Sequence, residues 1–84
     1  MMRKPAFQLP TRVHLPASVA LLDHMSVLIL MGNPSRQLLA YYRRHRNFPR
    51  AYRRDGTSWT VTDSLERWCI DNGITVERVN HERR

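Results

Sequence analysis

The sequence predicts an α+β fold in which a helical pair is followed by a β-hairpin and a C-terminal helix. Three stretches carry this expectation. "GNPSRQLL" (32–39) joins a helix stop to a helix start, "RAYRRDGTSWTV" (50–61) reads as two short strands about an Asp-Gly turn, and "DSLERWC" (63–69) spaces its apolar residues helically. At 84 residues the chain forms one domain with a thin core. The expected organisation is a flexible arm over 1–10, a domain over 11–73, and a strand or tail over 74–84.

The elements follow in order. "TRVHL" (11–15) alternates Val13 and Leu15 with Arg12 and His14, as a short strand does. Pro16 suits the first turn of a helix, and the apolar segment from Ala17 to Met31 places Val19, Leu22, Ser26 and Ile29 at helical spacing. That segment reads as one helix, or as two with a break near Asp23. Gly32 supplies the left-handed stop, Asn33 the next cap, and Pro34 the first position of a helix running over 34–46. Wound at about 100° per residue, this helix puts Ser35, Leu38, Leu39 and Tyr42 on one face. Arg36, Gln37, Ala40, Arg43 and Arg44 fall on the other, with Tyr41 at the edge.

Phe48 and Pro49 end the helix, and Asp55-Gly56 sets a hairpin in which Tyr52 opposes Trp59, Arg53 opposes Ser58 and Arg54 opposes Thr57. Tyr52 and Trp59 are expected on the core side, with Arg53 and Ser58 pointing away. Asp63 with Glu66 three residues on predicts a capping box for the last helix, whose buried stripe is Leu65, Trp68 and Cys69 and whose stop is Gly73. "ITVERV" (74–79) alternates as a short strand would, and "NHERR" is expected to be disordered.

Charge narrows the function. Lys+Arg total 14 against 7 acidic residues, a net charge of +7, and Lys4 is the only lysine. Arginine's planar fork suits paired contacts to phosphate and guanine, whereas lysine acts as a point charge. Between His24 and Arg54 no acidic residue occurs, yet Arg36, Arg43, Arg44, Arg46, Arg50, Arg53 and Arg54 all do. A solvated face is the plain reading of such a run; segregation of the arginines from the apolar residues favours a nucleic-acid surface.

Other classes find little support. The one cysteine excludes an internal disulfide and a thiolate zinc cluster, and the histidines lack metal-ligand spacing. Acidic residues are scattered, no serine has an evident base partner, and no glycine-rich phosphate loop occurs. No catalytic residue, metal or cofactor is therefore expected. Apolar runs are too short to span a bilayer and no signal peptide is evident, so a cytoplasmic location without membrane attachment is expected.

The order of "MGNPSRQLL" (31–39), "NFPRAYR" (47–53) and "GTSWTVTDSLERW" (56–68) resembles the AlpA-like and phage excisionase group of small winged-helix regulators, which are related to the MerR-type DNA-binding domain. In that group a Gly-x-Ser-Arg-like turn precedes the second helix and a Phe-Pro pair opens the wing. A tryptophan sits on the return strand, and an acidic residue then caps a helix ending in tryptophan. The resemblance spans roughly residues 25–70; Pro34 is an extra residue in the turn, and the preceding segment is longer than the usual first helix. It implies a winged helix-turn-helix that binds duplex DNA selectively, with helix 34–46 in the major groove and wing 50–60 on the minor groove or backbone. It further implies an excisionase or a small phage or island transcriptional regulator at work on the bacterial nucleoid or in a phage-infected cell. An integrase partner and cooperative self-association on DNA belong to the same expectation.

The residues expected to meet DNA are Ser35, Arg36, Gln37, Ala40, Tyr41, Arg43 and Arg44 on the helix, and Arg50, Arg53, Arg54 and Thr57 on the wing. Arg36, Gln37 and Arg44 are the base-reading candidates, because arginine pairs with guanine and glutamine with adenine; Arg43 and Arg46 are read as positioning contacts. Two other classes stay open. One is a basic adaptor that holds a protein partner through the apolar 19–31 segment, and the other is an RNA-binding module.

Overall fold

The computed structural model describes residues 9–79; the expected arm over 1–10 and the "NHERR" end therefore lie largely outside the described residues. Eight elements follow in the order β1 (Arg12–Pro16), β2 (Leu21–Asp23), α1 (His24–Leu30), α2 (Arg36–His45), β3 (Tyr52–Arg54), β4 (Thr57–Val61), α3 (Thr62–Asp71) and β5 (Thr75–Val79). This order overturns the expected winged helix-turn-helix of helical pair, hairpin and C-terminal helix. Strands open and close the described chain, and a third strand joins the hairpin.

The first correction lies at 17–23. Pro16 ends a strand rather than starting a helix, and residues 21–23 pair antiparallel with β4, Leu22 opposite Thr60. Both members of that pair are buried, at 4% and 2% exposure. Helical winding across 17–23 would pull Leu22 off β4 and leave that core row uncovered. Burying one leucine is worth about 1.5–3 kcal/mol, more than the tenths per residue by which helix propensities differ. Asp23 then caps α1, its carboxylate accepting from the Ser26 N–H at 3.1 Å. Hydrogen bonding from the Ser26 side chain, and then from its backbone N–H, holds the Asp23 carboxyl below its usual pKa.

The second correction concerns the helix start. Gly32 and Asn33 both take positive φ, 83° and 55°, and the Asn33 N–H donates to the Leu28 carbonyl at 2.7 Å. Asn33 thus finishes α1. Ser35 caps α2 instead, its Oγ accepting from the Leu38 N–H at 3.0 Å. The serine side chain fills this role because Pro34 occupies the position between stop and cap.

The hairpin has the register read from its turn, Tyr52 to Trp59, Arg53 to Ser58 and Arg54 to Thr57, with Asp55 and Gly56 both at positive φ. Its faces are reversed. Leu22 and Thr60 lie on the inner face, so alternation carries Ser58 and Arg53 to that same side. Tyr52, expected in the core, is 42% exposed, and Trp59 is only half-buried. Asp63 and Glu66 form no capping box either: Val61 is the N-cap of α3 without a side-chain bond. Both carboxylates bind Arg78 of β5, at 2.9 and 2.8 Å.

β5 pairs in parallel with β1, Val13 opposite Val76 and Leu15 opposite Arg78, so 75–79 is a strand of the fold and not a tail. Arg12 and Glu77 form an ion pair across this ladder, and Arg78 also donates to the Pro16 carbonyl at 3.1 Å. Against this pair packs α3, whose Leu65, Trp68 and Cys69 are buried as the stripe predicted. The core runs from Val13 and Leu15 through Val27 and Leu65 to an aromatic cluster of Tyr42, Phe48 and Trp68.

Candidate nucleic-acid interface

Helix α2 forms because its sequence contains a serine cap, no internal glycine or proline, and cations in its last turn, where the helix dipole favours them. Leu39 and Tyr42 are buried and Leu38 is half-buried. What fastens the helix is mainly its C-terminal end. The Tyr42 ring lies 5.7 Å from Trp68 and 6.2 Å from Phe48, and Phe48 meets Trp68 edge-on at 4.8 Å. The Trp68 indole N–H donates to the Arg46 carbonyl at 2.7 Å, and the Arg46 guanidinium donates to Asn72 at 3.2 Å. Burial pushes the Tyr42 phenol above its ordinary pKa, against the pull of Arg46. These contacts anchor one face of α2 and leave the other in solvent.

On the solvent side stand Arg36, Gln37, Ala40, Arg43 and Arg44. Tyr41, 37% exposed, has its ring 4.8 Å from that of His45, the two tilted by 42°. Ser35 is exposed but its oxygen is engaged as the helix cap. Arg46, read as a positioning contact, is half-buried and its guanidinium donates to Asn72. The left-handed Asn47 (φ 58°) then turns the chain through Phe48 and Pro49 to the exposed Arg50. Arg53 and Arg54 are exposed on β3, and Thr57 is half-buried where β4 begins.

Two open clefts lie beside α2 and the segment that follows it. One, of about 660 Å³, is bordered by Ala40, Arg43, Arg44, Asn47 and Arg50. The other, of about 420 Å³, is bordered by His24, Arg43, Arg50, Ala51 and Ser58. Among the described residues no carboxylate borders either. The Arg43 guanidinium lies 5.9 Å from the centre of the buried Phe48 ring, a cation–π contact that limits its wandering. His24 and Ser58 were not among the residues the sequence singled out. They come from two elements far apart in the chain, and no local pattern marks them.

The remaining surface is different in kind. A cleft between α2 and α3 mixes Arg46, Arg50 and Arg67 with Asp63 and Asp71, so its charges largely offset one another. The single thiol, Cys69, is fully buried and pushed up to about 11 by burial and by nearby Glu66, which leaves it protonated at neutral pH. Among the described residues no group of three metal-ligating side chains is found, and no helix is long and apolar enough to cross a membrane. No protein-family model, no curated protein and no solved structure matches the chain.

Proposed function

We propose that the protein binds duplex DNA without catalysing a reaction, laying the exposed face of α2 in the major groove and the β3–β4 hairpin along the adjoining backbone or minor groove. One observation carries this reading. Arg43 and Arg50 border two clefts lined by no carboxylate among the described residues, Arg44 borders the larger of them, and Arg36, Arg53 and Arg54 are exposed on α2 and β3. An α-helix fits the major groove, and a guanidinium there pairs with guanine O6 and N7. Arg36, Gln37 and Arg44 read bases in this proposal; Arg43, Arg50, Arg53 and Arg54 hold phosphates. The sequence resemblance extends the proposal to an excisionase or small regulator of a phage or genomic island, working beside an integrase or at a promoter on the bacterial nucleoid.

A salt series on a defined duplex tests the binding. With about six phosphates neutralised, the logarithm of affinity falls against log salt with a slope near −5, and a slope flatter than about −2 refutes the reading. Footprinting DNA around the coding region separates the two roles. Repeated sites beside an attachment site indicate excision, and one promoter site indicates repression.

A second reading rests on α1, where Met25 and Ile29 are 63% and 65% exposed, with Val19 at 40%. An apolar surface of this kind suits a protein partner. Under that reading the protein fails to shift duplex DNA and Met25→Ser abolishes capture of the partner. Competition between duplex DNA and structured RNA decides whether RNA is the better ligand.

A further inference from the structure

We propose that the smaller cleft is a seat for a single backbone phosphodiester, formed by Arg43, Arg50, His24 and Ser58. The inference rests on the DNA-binding reading and adds to it two residues, from α1 and β4, with a defined chemical task. Four observations support it. The cleft gathers two guanidiniums, an imidazole and a hydroxyl from four separate segments, and no carboxylate borders it among the described residues. Asp23, the acid next to His24 in the chain, is held by the Ser26 N–H and lines neither basic cleft. Arg43 is set in place by the Phe48 ring, which is itself wedged against Trp68 in the core. Ser58 lies on the inner face of the hairpin, the face shared with the buried Thr60, and it borders the cleft.

The chemistry selects an anion with several acceptor oxygens. Arginine offers a fork of N–H donors, and imidazole and hydroxyl each add one more; a phosphodiester has two non-bridging oxygens to accept them. The cleft is shallow and open, which suits one link of a continuous backbone. Arg43 and Arg50 also border the larger cleft beside Ala40 and Arg44. A phosphate held here would set the register in which α2 meets base edges, because phosphate contacts position a protein and base contacts specify the sequence.

The test uses the full chain and duplexes in which one phosphate at a time is replaced by a neutral methylphosphonate. For the wild type, one linkage stands out, its neutralisation weakening binding about tenfold. His24→Gln and Ser58→Ala each weaken binding about three- to tenfold on every sequence. In either variant, neutralising the special linkage weakens binding less than it does in the wild type. Ser58→Ala leaves the salt slope unchanged, since no cation is removed, whereas Arg50→Ala lowers it by about 1. Unaltered near-ultraviolet circular dichroism verifies the fold of each variant. Wild-type affinity in both His24→Gln and Ser58→Ala, or additive losses at every linkage, overturns the seat while leaving duplex binding intact. Absence of salt-dependent duplex binding by the wild type overturns the underlying reading instead. Titration with inorganic phosphate separates the sources: amide shifts at Ser58 with free phosphate, but no special linkage in the duplex, reassign the cleft to a free anion and refute the backbone seat.

Discussion

Replacing Trp68 by phenylalanine tests the claim that an aromatic cluster, more than helix propensity, holds the arginine-bearing helix in place. Trp68 is 5% exposed, and its rings reach both Tyr42 and Phe48. Phenylalanine retains an aromatic face but removes the indole N–H that donates to the Arg46 carbonyl at 2.7 Å. Loss of that bond at a part-buried helix end costs about 1 kcal/mol. The smaller ring leaves an unfilled volume worth about a further 1–2 kcal/mol. The sum is about 2–3 kcal/mol, and for a domain of this size that lowers Tm by roughly 10–20 °C. Thermal unfolding followed by far-ultraviolet circular dichroism measures the shift. Hydrogen exchange should show the amides of α2 losing protection before those of α3, since α2 depends on these rings and α3 also packs on β1 and β5. Trp59→Phe is the control: half-buried on the outer hairpin face, it should change stability by less than about 1 kcal/mol. A Trp68→Phe shift below about 3 °C, or an equal effect at Trp59, refutes the reasoning.

Other outcomes follow from the same structure. Arg44→Ala should cost about 1–3 kcal/mol in binding and relax discrimination at one base pair; equal weakening on every sequence in a competition assay would demote Arg44 to a phosphate contact. Thr62 is fully buried and its Oγ1 has no partner among the described residues. Thr62→Val should therefore raise stability by about 1 kcal/mol in urea denaturation, and a loss would show that the hydroxyl is bonded after all. Cys69 holds its proton to about pH 11 in the folded state, above the ordinary thiol value of 9.0. The unfolded chain releases that proton first, so this stabilising contribution is complete below pH 9 and is lost as pH rises toward 11. Tyr42 is shifted in the same sense by burial, so the comparison is with Cys69→Ala, whose Tm must fall less steeply over that range. Labelling of the thiol by a disulfide reagent at pH 8 should require urea; rapid labelling of the folded protein would contradict its burial.

Much of the candidate site is legible in the sequence because short-range rules govern it. The two faces of α2 follow from a period of about 3.6 residues. The hairpin register follows from two positive φ values that Asp-Gly adopts readily, and the Leu65, Trp68 and Cys69 stripe from helical spacing alone. Such features depend on neighbours within a few residues. The outward face of Tyr52 and Trp59 does not, because alternation defines two faces without saying which one meets the core. That choice was made by β2, which brought Leu22 against Thr60.

By itself, then, the chain's order of residues determined where charge gathers, which residues of α2 meet solvent, how the hairpin is registered and which stripe of α3 is apolar. Tertiary structure alone decided that 21–23 is a strand, that β5 returns to pair with β1, and that Arg78 claims Asp63 and Glu66 from a capping role. It also brought His24 and Ser58 beside Arg43 and Arg50. The physical reason is one of scale. Local preferences among helix, turn and strand differ by tenths of a kcal/mol per residue, whereas burying a leucine or pairing a charge is decided by partners tens of residues away.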